Sequence, residues 1–329
     1  MRGELSFQNE AEFISWLHRR TPRRAAGLTL GIGDDAALVR VPPGQELILT
    51  TDMSIEGVHF KSDLHPPKAV GHRALARSLS DIAAMGGTPR YALISLAISQ
   101  KTPRSWLEGF FHGLFALARR FSVAVIGGDT AVVSSHVSTD VIVAGLVPHG
   151  RALLRSGAKV GDRIFVSGCL GMSALGLRLL QSRTRIRKLV QHAALRAHLS
   201  PQPQCALGRF LSRRRMATAM MDLSDGLSID LPRLCAASGV GATLIADRIP
   251  TPSIQDPNDA LRLALHGGED YQLLFTAPAA EVSKVPRRFG RTPLRCIGEI
   301  RAARGIVMVT PNGKTSPVQS HGYDHFSRM

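Results

Sequence analysis

The chain has 329 residues, 44% hydrophobic and 20% charged, and 41 basic against 25 acidic residues leave a net charge of +16. That length suits two domains and that balance suits packed cores, which excludes a disordered chain. No stretch approaches the ~18 uninterrupted apolar residues of a membrane helix, and Met1-Arg2-Gly3-Glu4-Leu5 opens no apolar signal segment. The four cysteines (Cys169, Cys205, Cys235 and Cys296) form no CxxC pair. They read as reduced thiols of a cytoplasmic protein and exclude a disulfide framework or a zinc ribbon.

The charge is uneven. Residues 1–150 hold 15 basic and 13 acidic residues, a net +2, whereas residues 151–329 hold 26 and 12, a net +14. A basic half points to an anionic partner. Nucleic acid is one candidate, but aromatics make up only 5% and no nucleic-acid motif is present. The runs from Arg183 to Lys188 and Arg213 to Arg215 read instead as solvated helix faces.

In chain order, residues 5–20 have the spacing of a short amphipathic helix, and Gly31-Ile32-Gly33-Asp34-Asp35 reads as a loop. Leu47–Asp52 reads as a buried strand that Asp52 ends, and Pro66-Pro67 opens a helix that stops at Gly86-Gly87. Tyr91–Ile98 reads as a strand, Trp106–Phe121 as a helix, Val123–Ile126 as a strand closed by Gly127-Gly128-Asp129, and Val137–Val147 as a strand. A boundary is expected near Pro148, giving domains 1–148 and 149–329. Beyond it, Arg163–Ser167, Ala242–Ala246 and Tyr271–Thr276 read as strands, Met172–Leu180 as a helix, and another helix follows Ser224-Asp225-Gly226. Alternating strands and helices make both halves α/β or α+β.

The acids sit at informative places. Asp34 and Asp35 follow Gly33, Asp52 follows Thr50-Thr51, Asp129 follows Gly127-Gly128, and Asp222 and Asp225 bracket Leu223-Ser224. Asp81 lies in an otherwise apolar helix, where burial without a partner would be costly. Alone, it could be a partly exposed helix Asp or the partner of Arg77, four residues earlier. Together, these acids resist explanation as turn residues. Magnesium takes hard oxygen ligands, one or two carboxylates per ion, with waters and phosphate oxygens completing the shell. The glycines at 31, 33, 127, 128, 267 and 268 let backbone N–H groups approach phosphates. Ser224 reads as the N-cap of a helix whose N-terminus could bind an anion. Walker, dinucleotide and protein-kinase signatures are absent, so such an enzyme needs another scaffold.

The ordered set of motifs resembles the thiamine-monophosphate kinase family nearly end to end. It comprises Gly31–Ala37, Thr50-Thr51-Asp52-Met53, Glu56–Phe60, Ser78–Gly86, Gly127-Gly128-Asp129-Thr130, Arg155–Ala158, Met221–Leu227, Gly267–Tyr271 and Gly322–Phe326. The family is similar in fold to aminoimidazole-ribonucleotide synthetase, selenophosphate synthetase and a hydrogenase-maturation protein. The resemblance implies two α/β domains and a homodimer whose N-terminal sheets close into a barrel. It implies ATP-dependent phosphorylation of thiamine monophosphate to thiamine diphosphate with several Mg2+ ions. Carried over by motif, Asp35, Thr50, Thr51, Asp52, Asp81, Asp129, Asp222 and Asp225 are the implied metal set. Gly128, Arg155 and Ser224 are the implied ATP contacts, and His59, Glu269 and Tyr323 the implied substrate contacts. An aromatic near the nucleotide in relatives has two possible positions here, Phe111 and His112; Met172 stands where relatives often carry an acid after Leu170-Gly171.

Both reactants are phosphates. The acceptor is largely a dianion at neutral pH, because its second pKa lies near ~6. No strong base or covalent nucleophile is then required, and direct in-line transfer is expected once metal ions and Arg155 offset the repulsion of two polyanions.

Overall fold

The computed structural model describes residues 10–21, 25–32, 36–182 and 186–321. The chain divides into two compact units, one of residues 1–82 and 87–150, the other of residues 83–86 and 151–329.

The first unit contains α1 (Glu10–His18), β1 (Leu28–Leu30), β2 (Leu38–Val39), β3 (Gln45–Ile55), α2 (Pro67–Ala84), β4 (Thr88–Ser99), α3 (Arg104–Phe121), β5 (Ala124–Val133) and β6 (Ser138–Pro148). Its main sheet has the order β3-β6-β4-β5, antiparallel except for the β4–β5 pair, which α3 connects. α3 forms because Trp106, Leu107, Phe110, Phe111, Leu114 and Leu117 recur at helical spacing, and all are buried. α2 and α3 touch backbone to backbone. A Cβ at Gly71 would lie 1.9 Å from the Phe110 carbonyl, and one at Gly113 would lie 1.9 Å from that of Lys68. Only glycine allows this approach.

The sheet has unlike faces, as strand alternation requires. Ile48, Ile94, Leu96, Val141 and Val143 are buried, and Ser78 of α2 donates to the Val141 carbonyl at 2.8 Å on that side. On the other side Leu47, Leu49 and Met53 are 41%, 64% and 53% exposed.

Two expected strand ends are not ends. β3 continues past Asp52 to Ile55, and β5 runs through Gly127-Gly128-Asp129 to Val133. Gly128 is a packing glycine inside the strand: at φ +151° its Cβ would lie 2.0 Å from the Ile94 carbonyl of β4.

The second unit contains β7 (Arg163–Ser167), α4 (Met172–Gln181), α5 (Lys188–Leu199), α6 (Cys205–Arg214), β8 (Ala219–Leu223), α7 (Leu227–Ser238), β9 (Gly241–Ile245), α8 (Pro257–His266), β10 (Gln272–Ala277), β11 (Arg288–Phe289), β12 (Thr292–Arg301), β13 (Ile306–Val309) and β14 (Thr315–Pro317). Its sheet has the order β14-β13-β9-β12-β7-β10-β8, with β11 paired to β12. α7 and α8 pack on it through Leu227, Leu231, Leu234, Ala264 and Leu265. Arg213 and Arg214 occupy the last turn of α6, and Arg215 caps it in the left-handed region at φ +53°. All three are exposed, so this basic run is a solvated helix end that complements the helix dipole. Among the described residues no helix is long and apolar enough to cross a membrane.

Replacing Gly113 by valine is expected to destabilise the protein by about 3 kcal/mol or more, because the α2–α3 contact must open. Thermal unfolding checks this; a Tm within about 2 °C of the parent would refute the contact.

Candidate active site

Each unit gathers its own set of the expected residues. In the first unit, β3 sends Thr50 and Asp52 to the helix-covered side of the sheet and Thr51 to the other. The Thr50 hydroxyl donates to Asp81 of α2. Arg77 Nε lies 3.7 Å from Asp52 Oδ1. Burial, followed by the negative charge of Asp81, pushes the Asp52 carboxyl up to about 6; Arg77 and Ser78 offset this only in part, and Asp140 adds to it.

Asp140 was not among the residues expected from sequence. Its Oδ1 accepts from Thr51 Oγ1 at 2.6 Å. Strand register puts Ser95 opposite both Asp140 and Asp129, so these three form a row on one face of β6, β4 and β5. Two strand spacings separate the two acids by about 10 Å. The one available signal was a lone acid in the apolar Val137–Val147 run, and its significance depends on strand pairing. Asp129 is exposed, and its Oδ1 accepts the Thr130 N–H at 2.8 Å.

Beside Asp129 lies a cavity of about 600 Å3, walled by Gly31, Ile32, Gly127, Gly128 and Phe111 among others. Of the two aromatic positions, Phe111 is buried in this wall while His112 is exposed. Asp35 lies outside the described residues, although Ile32 and Ala36 on either side of it line the cavity. His59 is a locally tied histidine. Its Nδ1 accepts the Ile55 N–H at 3.1 Å, and its carbonyl accepts from Arg73 at 3.2 Å.

In the second unit, Asp222 is buried near the end of β8, and Ser224 and Asp225 follow it. The loop before β10 folds onto them: Glu269 N donates to the Ser224 carbonyl at 2.7 Å and Tyr271 N to that of Leu223 at 2.9 Å. Glu269 and Tyr271 hold φ values of +65° and +50°, strained for residues with side chains and typical of functional loops. Gly268 is used for packing, since a Cβ there would lie 2.6 Å from the Ser224 carbonyl.

Ser224 is not the N-cap of α7. That position is Gly226, without a side-chain cap. The N–H groups of Asp225 and Gly226 go to the buried Asp230 at 3.0 and 3.1 Å. A carboxylate one turn into the helix has taken the place expected for a bound anion. Arg233 bonds Asp225 and lies 3.0 Å from Asp230.

Glu269 has a buried neighbour that sequence did not disclose. His198 Nδ1 lies 3.8 Å from Glu269 Oε2 and 3.0 Å from Ser173 Oγ. Asp270 accepts the N–H groups of Gly171 at 2.5 Å and Ser173 at 3.0 Å, capping α4 from a distant loop; burial pushes its carboxyl up to about 7. Met172 is thus the first residue of a helix whose N-terminus already has its carboxylate. Arg155 is exposed, and its carbonyl accepts from Ser238 Oγ at 3.0 Å. Tyr323 lies outside the described residues. The tail is anchored up to His321, whose ring centroid is 5.4 Å from that of His266, just before Gly267-Gly268-Glu269.

Residues 33–147 match the AIR synthase related protein N-terminal domain family, and residues 159–310 match the AIR synthase related protein C-terminal domain family. The thiamine-monophosphate kinase of Salmonella typhimurium strain LT2 is 39% identical over 304 residues, covering 90% of this chain and 92% of its own. That of Bacillus subtilis strain 168 is 34% identical over 324 residues, covering 94% and 98%. The chain belongs to the thiamine-monophosphate kinase family. The crystal structure of the family member from Stenotrophomonas maltophilia K279a is 35% identical and superposes with a TM-score of 0.81 over 92% of this chain and 96% of its own. AaThiL complexed with AMPPCP and TMP is 31% identical, with a TM-score of 0.75 over 98% of each chain. The hydrogenase maturation protein HypE of Escherichia coli, 19% identical with a TM-score of 0.76 over 95% and 99%, shares the fold.

Among the described residues of this kinase-family chain, no three Asp, Glu, His or Cys side chains converge as a finished metal cage. The donor set nevertheless suits magnesium, which leaves positions to phosphate and water. Asp52 feels the charge of Asp81 on its own side of the sheet and, more weakly, that of Asp140 on the other, and a threonine hydroxyl bonds each of those two acids.

The Asp52 shift gives a stability test. Its folded pKa of about 6 exceeds the ordinary carboxyl value of 3.8, so the stabilisation tied to the proton is present below about pH 4 and lost as pH rises through about 6. Asp52→Asn is therefore expected to raise metal-free stability at pH 7 by about 1–3 kcal/mol and to flatten the pH 4–6 dependence. Denaturant unfolding in EDTA checks this; a loss of stability at pH 7 would mean the Arg77 ion pair outweighs burial.

Proposed function

We propose that this chain transfers the γ-phosphate of ATP directly to thiamine monophosphate, giving thiamine diphosphate, the last step of its biosynthesis. The observation that carries this reading is family membership together with Asp52 held close to the charges of Asp81 and Asp140, which the Arg77 guanidinium 3.7 Å away offsets only in part. Asp35, Thr50, Thr51, Asp52, Asp81, Asp129, Asp222 and Asp225 would hold several magnesium ions, and Asp140 steadies Thr51 among them. When bound, those ions supply positive charge to the phosphate oxygens. The backbone at Gly128, next to the cavity, Arg155 and Ser224 would contact ATP. His59, Glu269 and Tyr323 would contact the acceptor, with Glu269 facing its cationic ring and Tyr323 stacking on it.

The chain's own residues have defined tasks. Asp270 and the Ser224 carbonyl hold the Glu269 loop in its strained form, so the carboxylate is oriented before substrate arrives. No side chain need take a proton from the acceptor phosphate, which is already ionised. Residues 1–148 would serve nucleotide binding and dimerisation, and residues 149–329 would complete the site. The reduced cysteines suit a cytoplasmic enzyme, and neither nucleic acid nor membrane has a part in this reading.

A coupled assay is expected to show ADP release that depends on both magnesium and thiamine monophosphate, with thiamine and aminoimidazole precursors inactive. Asp52→Ala and Asp129→Ala should lower turnover by at least about 10³-fold while circular dichroism stays that of the parent. Turnover preserved in both variants would remove the metal assignment; activity on another acceptor alone would remove the substrate.

The exposed sheet face carrying Leu47, Leu49 and Met53 supports a homodimer in which two such faces meet and close into a barrel. Leu49→Asp is expected to give monomers in sedimentation velocity. A parent chain that sediments as a monomer would overturn the dimer.

A further inference from the structure

Apart from the acids, the first unit holds a second cavity, of about 520 Å3, whose wall includes Arg19, Arg20, Arg90 and Arg119 and, among the described residues, no Asp or Glu. Arg19 donates to the Ser15 hydroxyl at 2.7 Å, and Arg20 to the Trp16 carbonyl at 3.3 Å while lying 4.3 Å over the Trp16 ring. Among the described residues, none of the four arginines has a carboxylate partner.

Arg90 is the most telling of them. Pro89 pairs with Gly145 and Tyr91 with Ala144, so Arg90 is the extra residue of a β-bulge, a device that re-aims a side chain out of the regular pleat. Its Nε is buried without a hydrogen-bond partner among the described residues. A charged donor in that position is unfavourable unless something accepts from it. Ser122, at φ +55°, also lines the cavity, and Phe115, Ala118 and Val125 give it an apolar floor.

We propose that this cavity is a binding site for a small polyphosphate anion, separate from the aspartate-lined site. Guanidinium groups offer forked donors that match phosphate oxygens, and four of them without neutralising acids make a local field of one sign. The volume admits a short polyphosphate or the phosphate end of a nucleotide. Val125 lies in the wall of both this cavity and the one beside Asp129, so an occupant here would press on the strand that carries Gly127-Gly128-Asp129.

The test is calorimetric titration of the full chain with inorganic tripolyphosphate in EDTA, where the metal-free acids repel a polyanion. Saturable binding is expected, weakened at least about tenfold by Arg90→Gln and by Arg119→Gln, and unchanged by Asp129→Asn. Arg119 is exposed on the last turn of α3, so that variant stays informative even if Arg90→Gln misfolds. ADP-release kinetics of Arg119→Gln should match the parent. Absence of saturable binding, binding indifferent to both arginine changes, or binding lost in Asp129→Asn would each overturn the proposal.

Discussion

The site depends on keeping like charges close. Asp52 is pressed between the charge of Asp81 and the weaker influence of Asp140, with one guanidinium 3.7 Å away that does not cancel the cost. Packing holds the group together where pairing does not. Asp52 is carried in the middle of an eleven-residue strand, Asp81 sits on a helix pinned to α3 by glycine contacts, and the threonine hydroxyls bond the remaining carboxylates. A cation bound there would relieve the repulsion that the packing imposes on these acids.

The second unit treats its acids differently. Asp230 and Asp270 are buried, and each accepts backbone N–H groups at a helix N-terminus. They set the path of the chain through Asp225 and Glu269, whose own carboxylates stay partly exposed. The motif Gly-Gly-Glu-Asp-Tyr therefore divides its labour: Glu269 presents a charge, and Asp270 fixes the backbone that presents it.

Much of this was legible in the sequence. Helical spacing located α3, apolar runs located β4 and β6, and the ordered motifs pointed to the family. The misreadings share a cause. Gly127-Gly128 looked like a strand end because glycine usually punctuates, yet Gly128 serves a neighbouring carbonyl on β4 that only pairing brings near. Ser224 looked like an N-cap because residue type favours it, but Asp230 supplies the capping carboxylate from inside the helix. Asp140 and His198 acquire meaning only through register and packing. α5 escaped notice because Ala194 and His198 alone are its buried positions, too few for a visible stripe.

The pairing of β3 with β6 also bears on how the molecule is made. Gln45 pairs with Pro148 and Ile55 with Ser138, while α2, β4, α3 and β5 lie between them in sequence. A growing chain leaving the ribosome therefore carries Thr50, Thr51 and Asp52 on a strand without its partner until the whole first unit has emerged. The charge of Asp52 on that strand makes it a poorer template for pairing with another chain during the wait. An acid proposed to bind metal would then serve as an aggregation gatekeeper during synthesis, before any nucleotide is bound.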